Sequence, residues 1–504
     1  MVPRLAATVA LATLASACTV GPNFSRPSLT SPPSLIAGHP QSAATRLIEG
    51  TPPDDWWTVF NDPVLNSLEE RVAAQNLDVQ TASARVEQAQ AQRRIAGSGM
   101  FPSIEGSASY TRGRSNPNGP SALVHDGSPN VDMFDGGFDA SWELDLWGRV
   151  RRAREAASAR YDAAGNYRRL ALLLVEAELA RDYIALRGSQ SQLEVLQENL
   201  EIARNSVALT RSRFNNGVTT RLDVANAEAQ VSSIEASIPA IEADRDTLIN
   251  ALSQLLALHP HALDSELRSS GALPARSKVV AVGVPSELLL RRPDIQQVED
   301  ELHAATAEIG VAKADFFPRI SLNGSLSSQT FQLSSFGSWG SRQFSVGPSI
   351  TLPFFQGGRL RGTLELRKAE QQEVAIRYQQ VVLAAWHEVD DALIDYTAEE
   401  RRRDSLARNV EQNELALSVA QRRYREGAID FLNVLSVQRS LLEAKSGAIR
   451  SNMTASFNLI KLFKALGGGW QAQFPDQTAT SGMTPAALSG GLQQTSQRNI
   501  PARP

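Results

Sequence analysis

The sequence predicts a membrane α+β fold in an internally duplicated chain: very long helices, and four short strands that close a barrel only when several chains share it. Three observations carry this expectation. The stretch between Gly148 and Phe214 holds no proline and only two glycines, Gly165 and Gly188. Segments of the first half return in the second, about 210 positions later. Four runs of about ten residues alternate apolar and polar side chains, the length and period of a membrane-spanning strand.

From the N-terminus, residues 1 to 17 carry one basic residue, Arg4, an apolar run from Leu5 to Leu14 and small residues before Cys18. This is the pattern of a signal peptide, and the run is too short to span a bilayer. Leu14-Ala15-Ser16-Ala17-Cys18 resembles a bacterial lipobox, which implies cleavage before Cys18 and acylation of its thiol, and Thr19 in place of aspartate favours the outer membrane by the same resemblance. Cys18 is the only cysteine among 504 residues, so no intramolecular disulfide exists. A net charge of −4 supplies no basic field for nucleic acid.

Between Gly148 and Phe214 the apolar positions Leu172, Leu179, Leu186, Leu193, Leu200, Val207 and Phe214 recur every seven residues. A strict heptad predicts one helix, roughly 100 Å long, wrapped left-handedly around neighbours of similar length. Its counterpart runs from about Gly358 to Tyr424 along Val382, Val389, Tyr396, Val410, Leu417 and Tyr424, with Arg403 interrupting the seam. Shorter helical patterns cover about Val64 to Ala96, Leu222 to Leu258, Ser286 to Ala314 and Phe431 to Leu466. Pro239 should kink the second of them. Arg213-Phe214-Asn215-Asn216-Gly217 returns as Arg423-Tyr424-Arg425-Glu426-Gly427, and Phe101-Pro102-Ser103-Ile104 as Phe317-Pro318-Arg319-Ile320. A period this long is a duplication, not a solenoid.

The alternating runs begin at Ser103, Phe138, Ile320 and Phe344. Tyr110, Trp142, Trp147, Phe344 and Phe354 could form an interfacial girdle, and the loops at about Gly113 to Met133 and Ser328 to Gln343 resemble extracellular ones. Four strands cannot close a barrel, and an open edge in lipid leaves backbone groups unsatisfied. Several chains must share one barrel; three would supply 12 strands, an even number above the usual minimum of eight.

Four motifs, in order, then resemble the TolC-like outer-membrane factors, specifically the acylated NodT and OprM type that serves RND-type efflux pumps. They are Cys18-Thr19-Val20-Gly21-Pro22-Asn23-Phe24, Trp56-Trp57-Thr58-Val59-Phe60-Asn61-Asp62-Pro63, Arg291-Arg292-Pro293-Asp294-Ile295 and Phe355-Gln356-Gly357-Gly358-Arg359. The resemblance spans Cys18 to about Trp470. It implies a homotrimer with a shared 12-stranded outer-membrane barrel, continued by a periplasmic α-helical barrel, and a passive exit duct for drugs or other small toxic compounds. The implied partners are a periplasmic adaptor (a membrane fusion protein), an inner-membrane pump of RND type and outer-membrane lipid. The expected divisions are a signal peptide (1–17), an acylated segment and belt (18–63), a first repeat (64–258), a linker (259–285), a second repeat (286–466) and a belt segment with a disordered tail (467–504).

By the same resemblance Gly217, Val218, Thr219 and Gly427, Ala428, Ile429 form periplasmic tips that meet the adaptor, while both glycines also suit helix C-caps. Asp223, Asp430, Asn433 and Ser436 fall at the resting aperture, where a ring of carboxylates could act electrostatically. Asn433 and Ser436 stand where aspartates are often found, which puts that ring in doubt in the second half; the alternative for the two aspartates is solvated helix charge. Arg149, Arg151, Arg152 and Arg154 follow Trp147 and read most simply as snorkelling to lipid headgroups. No P-loop, cysteine nucleophile, histidine metal spacing or dinucleotide motif appears, so neither enzyme nor cofactor is expected. Two competitors stand beside efflux: a protein-secretion duct of type I, and a lipid-anchored periplasmic coiled-coil scaffold, against which the four alternating strands argue.

Overall fold

The computed structural model describes residues 19–28, 34, 36, 46–114, 130–277, 279–471 and 473–474. The signal peptide, Cys18, the tip of the first strand-pair loop and the tail beyond 474 lie outside the described residues. The elements in order are β1 (Arg46–Ile48), α1 (Pro63–Gln75), α2 (Leu77–Ser98), β2 (Ser103–Arg114), β3 (Asn130–Leu144), α3 (Arg149–Asn215), α4 (Arg221–Leu255), α5 (Asp264–Leu267) and β4 (Val279–Ala281). They continue as α6 (Pro285–Arg291), α7 (Pro293–Ala314), β5 (Arg319–Thr330), β6 (Arg342–Thr351), α8 (Arg359–Arg425) and α9 (Phe431–Ala465).

The duplication is written in the lengths. α3 and α8 have 67 residues each, α4 and α9 have 35 each, and α2 and α7 have 22 each. Two patterns read as single helices are each broken once. Asn76 ends α1 and caps α2, its Oδ1 accepting from Asp78 N at 2.8 Å and Val79 N at 3.2 Å. Arg292 takes an extended backbone before Pro293, because a residue preceding proline is pushed out of the helical region. Pro239 lies inside an unbroken α4.

The seam of α3 is fully buried at Leu172, Leu179 and Leu186, half-buried at Leu193 and Val207, and exposed at Phe214 (42%). Burial is thus deepest halfway along, where the main core collects Trp56, Phe60, Leu65, Leu68, Phe463 and Trp470 around α3. The break in the seam of α8 has a partner. Arg403 pairs at 3.0 Å with Glu400, which is 1% exposed. Arg276, from the segment between α5 and β4, reaches the same carboxylate at 3.1 Å and donates to Asn452 O and Ser456 Oγ on α9, both at 2.8 Å.

β2, β3, β5 and β6 form one antiparallel sheet in that order. β3 starts eight residues before the alternating run, since Asp132, Asp135, Gly136 and Gly137 hide the pattern. A Cβ on Gly137 would overlap Ser327 on β5, so glycine permits the close approach there. β1 and β4 make a separate parallel pair. Removing one partner of a buried ion pair leaves an uncompensated charge costing roughly 3–5 kcal/mol. Glu400→Ala, which strands Arg276 and Arg403, should therefore lower the unfolding midpoint of the detergent-extracted protein clearly. An unchanged midpoint would show that the network holds nothing.

Candidate functional site: a two-faced sheet, a strapped N-terminus and paired helical tips

The sheet presents two chemically different faces, fixed by register. Phe138 stands beside Leu326, and Leu326 beside Phe344; all three are exposed, as are Ile104, Val346 and Ile350 on the same face. On the opposite face Glu105 lies against Asp139, Asp139 against Ser325 and Ser325 against Ser345. There the hydroxyls and amides bond to one another: Ser141 Oγ to Asn323 Oδ1 at 3.0 Å and Asn323 Nδ2 to Ser349 Oγ at 2.9 Å. A large apolar surface beside a hydrogen-bonded polar one is the division expected between hydrocarbon and a wet lumen. β2 and β6 are paired on one side only among the described residues.

Below the sheet, the first described residues form a strap over α3 and α7. Val20 N donates to Trp147 O at 3.1 Å, Asn23 Oδ1 accepts from Arg152 at 2.6 Å and Phe24 stacks on His303 with centroids 4.7 Å apart. Gly21, at φ 102°, crosses α7 so closely that a Cβ would overlap Gly310 Cα. These contacts explain the spacing of the first motif and seat Thr19 against Gly148, where β3 turns into α3. They also correct the snorkelling reading of Arg149, Arg151 and Arg152. Arg149 makes a bidentate pair with Glu143 at 2.9 and 2.6 Å, Arg151 pairs with Asp145 at 3.3 Å, and Arg152 is buried between the strap and Glu155. Carboxylates within a few residues, rather than headgroups, answer these charges. Trp147 Nε1 donates to Pro318 O at 2.9 Å, and its ring stacks on Phe317, tying the first repeat to the second.

At the far end, Gly217 and Gly427 take φ of 71° and 75°. Val218 N donates to Arg213 O at 2.9 Å and Gly217 N to Phe214 O at 2.9 Å; Ala428 N donates to Arg423 O at 2.9 Å and Gly427 N to Tyr424 O at 3.0 Å. Each tip is therefore a Schellman cap, in which glycine supplies the left-handed residue. Val218 is 61% exposed, as are Leu222 (64%) and Leu432 (53%) nearby. Thr219 and Ile429 are half-buried and Ala428 exposed. The two tips are joined within one chain: Arg213 donates to Tyr424 O at 2.9 Å and lies 4.7 Å over the Tyr424 ring. Beside them a cavity of about 330 Å³ opens between α3, α8 and α9, lined by Ile202, Leu209, Tyr424, Phe431 and Val434 among others.

The aperture candidates divide. Asp223 completes a capping box with Thr220, accepting from Thr220 N at 3.2 Å and from the Thr219 and Thr220 hydroxyls at 2.5 and 2.9 Å. Partial burial raises its pKa, but these hydrogen bonds outweigh it and hold the carboxyl below its usual range. Asp430 occupies the N-cap of α9 without a side-chain cap bond and is exposed, as are Asn433 and Ser436. Asp223 is thus engaged locally while Asp430 faces solvent. The Thr220-x-x-Asp223 spacing carried the signal for the cap; nothing in sequence announced the tie between Arg213 and Tyr424.

No helix among the described residues is long and apolar enough to cross a membrane, which says nothing of the sheet. Among them no group of three or more His, Cys, Asp or Glu could hold a metal ion. An open-edged, two-faced sheet continued by helices of 67 residues defines a TolC-like outer-membrane channel fold.

The comparisons agree with that class. The family model for outer membrane efflux proteins matches residues 68–258 and 284–468, and the chain belongs to that family. The pyoverdine export outer membrane protein OpmQ of Pseudomonas putida is 33% identical over 464 residues, covering 89% of this chain and 96% of that one. Nodulation protein T of Rhizobium leguminosarum bv. trifolii is 32% identical over 458 residues, covering 91% and 96%. The solved outer-membrane channel OprN superposes with a TM-score of 0.83 at 35% identity, covering 90% of this chain and 100% of that chain. The chain is accordingly an outer-membrane efflux channel.

Replacing the N-cap threonine removes a bond worth about 1 kcal/mol. Thr220→Ala should speed amide exchange in the first turn of α4 while exchange in α3 near Leu179 stays unchanged. A carboxyl with a depressed pKa stabilises above its unfolded value, so the wild-type turn should also loosen as pH falls through the acid range, and Asp223→Asn should abolish that dependence.

Proposed function

We propose that three copies of this chain close one 12-stranded barrel in the outer membrane and stack their long helices into a periplasmic tunnel, forming a passive exit duct for drugs or other small toxic compounds. The observation that carries this reading is the sheet. Among the described residues β2 and β6 each offer an unpaired edge, and hydrocarbon tolerates no unpaired backbone. Joining β6 of one copy to β2 of the next satisfies both.

The duct supplies no energy, so substrate is handed in at the tips by an adaptor and an inner-membrane pump of RND type. Support for docking at Gly217–Thr219 and Gly427–Ile429 comes from the exposed apolar side chains at the turns, an uncovered surface that water disfavours. Asp430, solvent-facing beside Asn433 and Ser436, is the carboxylate that charges the resting aperture. An acyl chain on Cys18 would enter lipid beside the barrel, since its neighbour Thr19 sits at the sheet-to-helix junction. The division into a belt (18–63, 259–285 and the segment after 466) and two repeats (64–258 and 286–466) belongs to this reading.

Protein extracted from outer membranes in mild detergent should have the mass of a trimer and a length well over 100 Å, given helices of this size; a monomer, or release without detergent, would sink the shared barrel and favour a lipid-anchored scaffold. Gly217→Glu with Gly427→Glu should abolish export and leave trimers intact, whereas unchanged export would rule out tip docking. Export of a protein rather than small toxic compounds by the intact trimer would move the reading to a secretion duct.

A further inference from the structure

The main core encloses two carboxyl groups that the duct does not use. Glu69 on α1 is 1% exposed and Glu176 on α3 is 0% exposed, and among the described residues none of their four oxygens has a hydrogen-bond partner. Around them the core is apolar, built from Trp56, Leu65, Leu68, Leu172 and Trp470. The loop after α9 presses on Glu176: a Cβ on Gly469 would overlap Glu176 Oε2.

The charged groups on the packed elements are turned elsewhere. On α1, Arg71 pairs with Glu266 at 3.0 Å, and Glu70 is exposed. On α3, Arg168 lies 4.0 Å over the Phe474 ring, Arg169 lies 4.5 Å over the Trp470 ring and donates to Asn166, Arg181 lies over Phe457 and Glu178 is exposed. Arg291 reaches Asp54 and Pro52 O; Arg292 reaches Asp294, Glu388 and Ala465 O. On α9, Lys461 pairs with Asp395 and Lys464 is exposed. The turn at Trp56 brings only the exposed Asp54 and Asp55, with Asp62 accepting from Tyr183, and residues 467–471 bring nothing titratable. Burial favours the neutral acid at both positions, and Glu176 adds to the effect on Glu69.

We propose that Glu69 and Glu176 are held as neutral acids and act as a proton-dependent lock, seating α1 and the C-terminal loop on α3 and loosening this belt when the medium turns alkaline. An ionised carboxylate there would lie in an apolar core with no cation and no donor among the described residues, a state proteins avoid by keeping the proton. The sign follows from linkage. Both groups bind protons more tightly in the docked belt than in the opened one. Docking is therefore strongest below the pKa of an exposed glutamate and weakens as pH rises toward the raised values, by up to tenfold in the opening equilibrium per pH unit for each proton released.

The test is hydrogen exchange on the full-length, detergent-extracted protein from pH 6 to 9, read as protection factors so that the intrinsic pH dependence of exchange cancels. In the wild type, protection in α1 and at residues 467–471 should fall by tenfold or more across that range, while α8 near Val389 holds. Glu69→Gln with Glu176→Gln should remove the dependence. Flat protection in the wild type, or the same fall in the double variant, overturns the proposal. Should the double variant not fold, infrared spectroscopy of the wild type decides. A protonated-carboxyl carbonyl band must persist at pH 7.5, where exposed carboxyls are ionised, and vanish in step with protection; its absence at pH 7.5 overturns the lock.

Discussion

Hydrocarbon gives backbone amides and carbonyls nothing to bond to, and the rest of this architecture follows from that constraint. A four-stranded sheet cannot satisfy it alone, because among the described residues β2 and β6 each keep a free edge. The sheet is accordingly two-faced, with Phe138, Leu326 and Phe344 in one row and Asp139, Ser325 and Ser345 in the row behind. Alternation with period two fixes which residues share a face, so a slip of one residue would exchange the apolar row for the polar one.

The helices answer to a different solvent. In water an apolar seam of this length must be covered, and α3 is covered best at its middle, where Trp56, Phe463 and Trp470 gather. Toward the tips the clusters shrink to Tyr424, Phe431 and Val434 with a few neighbours. Burial per residue therefore falls along the tunnel, and the least buried end is the one with exposed Val218, Leu222 and Leu432. Regions of low burial open most readily, so the tips should open first and the middle last.

Much of this was legible from periodicity. The heptad marked both long helices to within a residue or two, and alternation located all four strands, because each pattern spans enough residues to outweigh local exceptions. Helix breaks were less legible: Asn76 and Arg292 interrupt continuous helical patterns through a side-chain cap and a following proline, single-residue effects that a window averages away. Arg149, Arg151 and Arg152 were misjudged because their partners, Glu143, Asp145 and Asn23, are brought close by a turn and by a strap from the far N-terminus. The glycines at the tips were readable as caps; the pairing of Arg213 with Tyr424 joins residues 211 positions apart and leaves no local mark.

The two repeats show which features geometry fixes and which it leaves free. Each residue adds 1.5 Å to a helix, so a single insertion in α3 or α8 would put the two tips out of level and break the tie between Arg213 and Tyr424. Their lengths are equal to the residue, as are those of α4 and α9. The strand pairs carry no such requirement at their outer turns: β3 has 15 residues and β6 has ten. Side chains diverge even where lengths cannot. Thr220 and Asp223 cap α4 with a closed box, whereas the same place in α9 holds Asp430 alone. Chain length is thus set by the need for two hairpins to end at one level, and the chemistry at that level is free to differ, leaving one tip capped internally and the other with a carboxylate facing water.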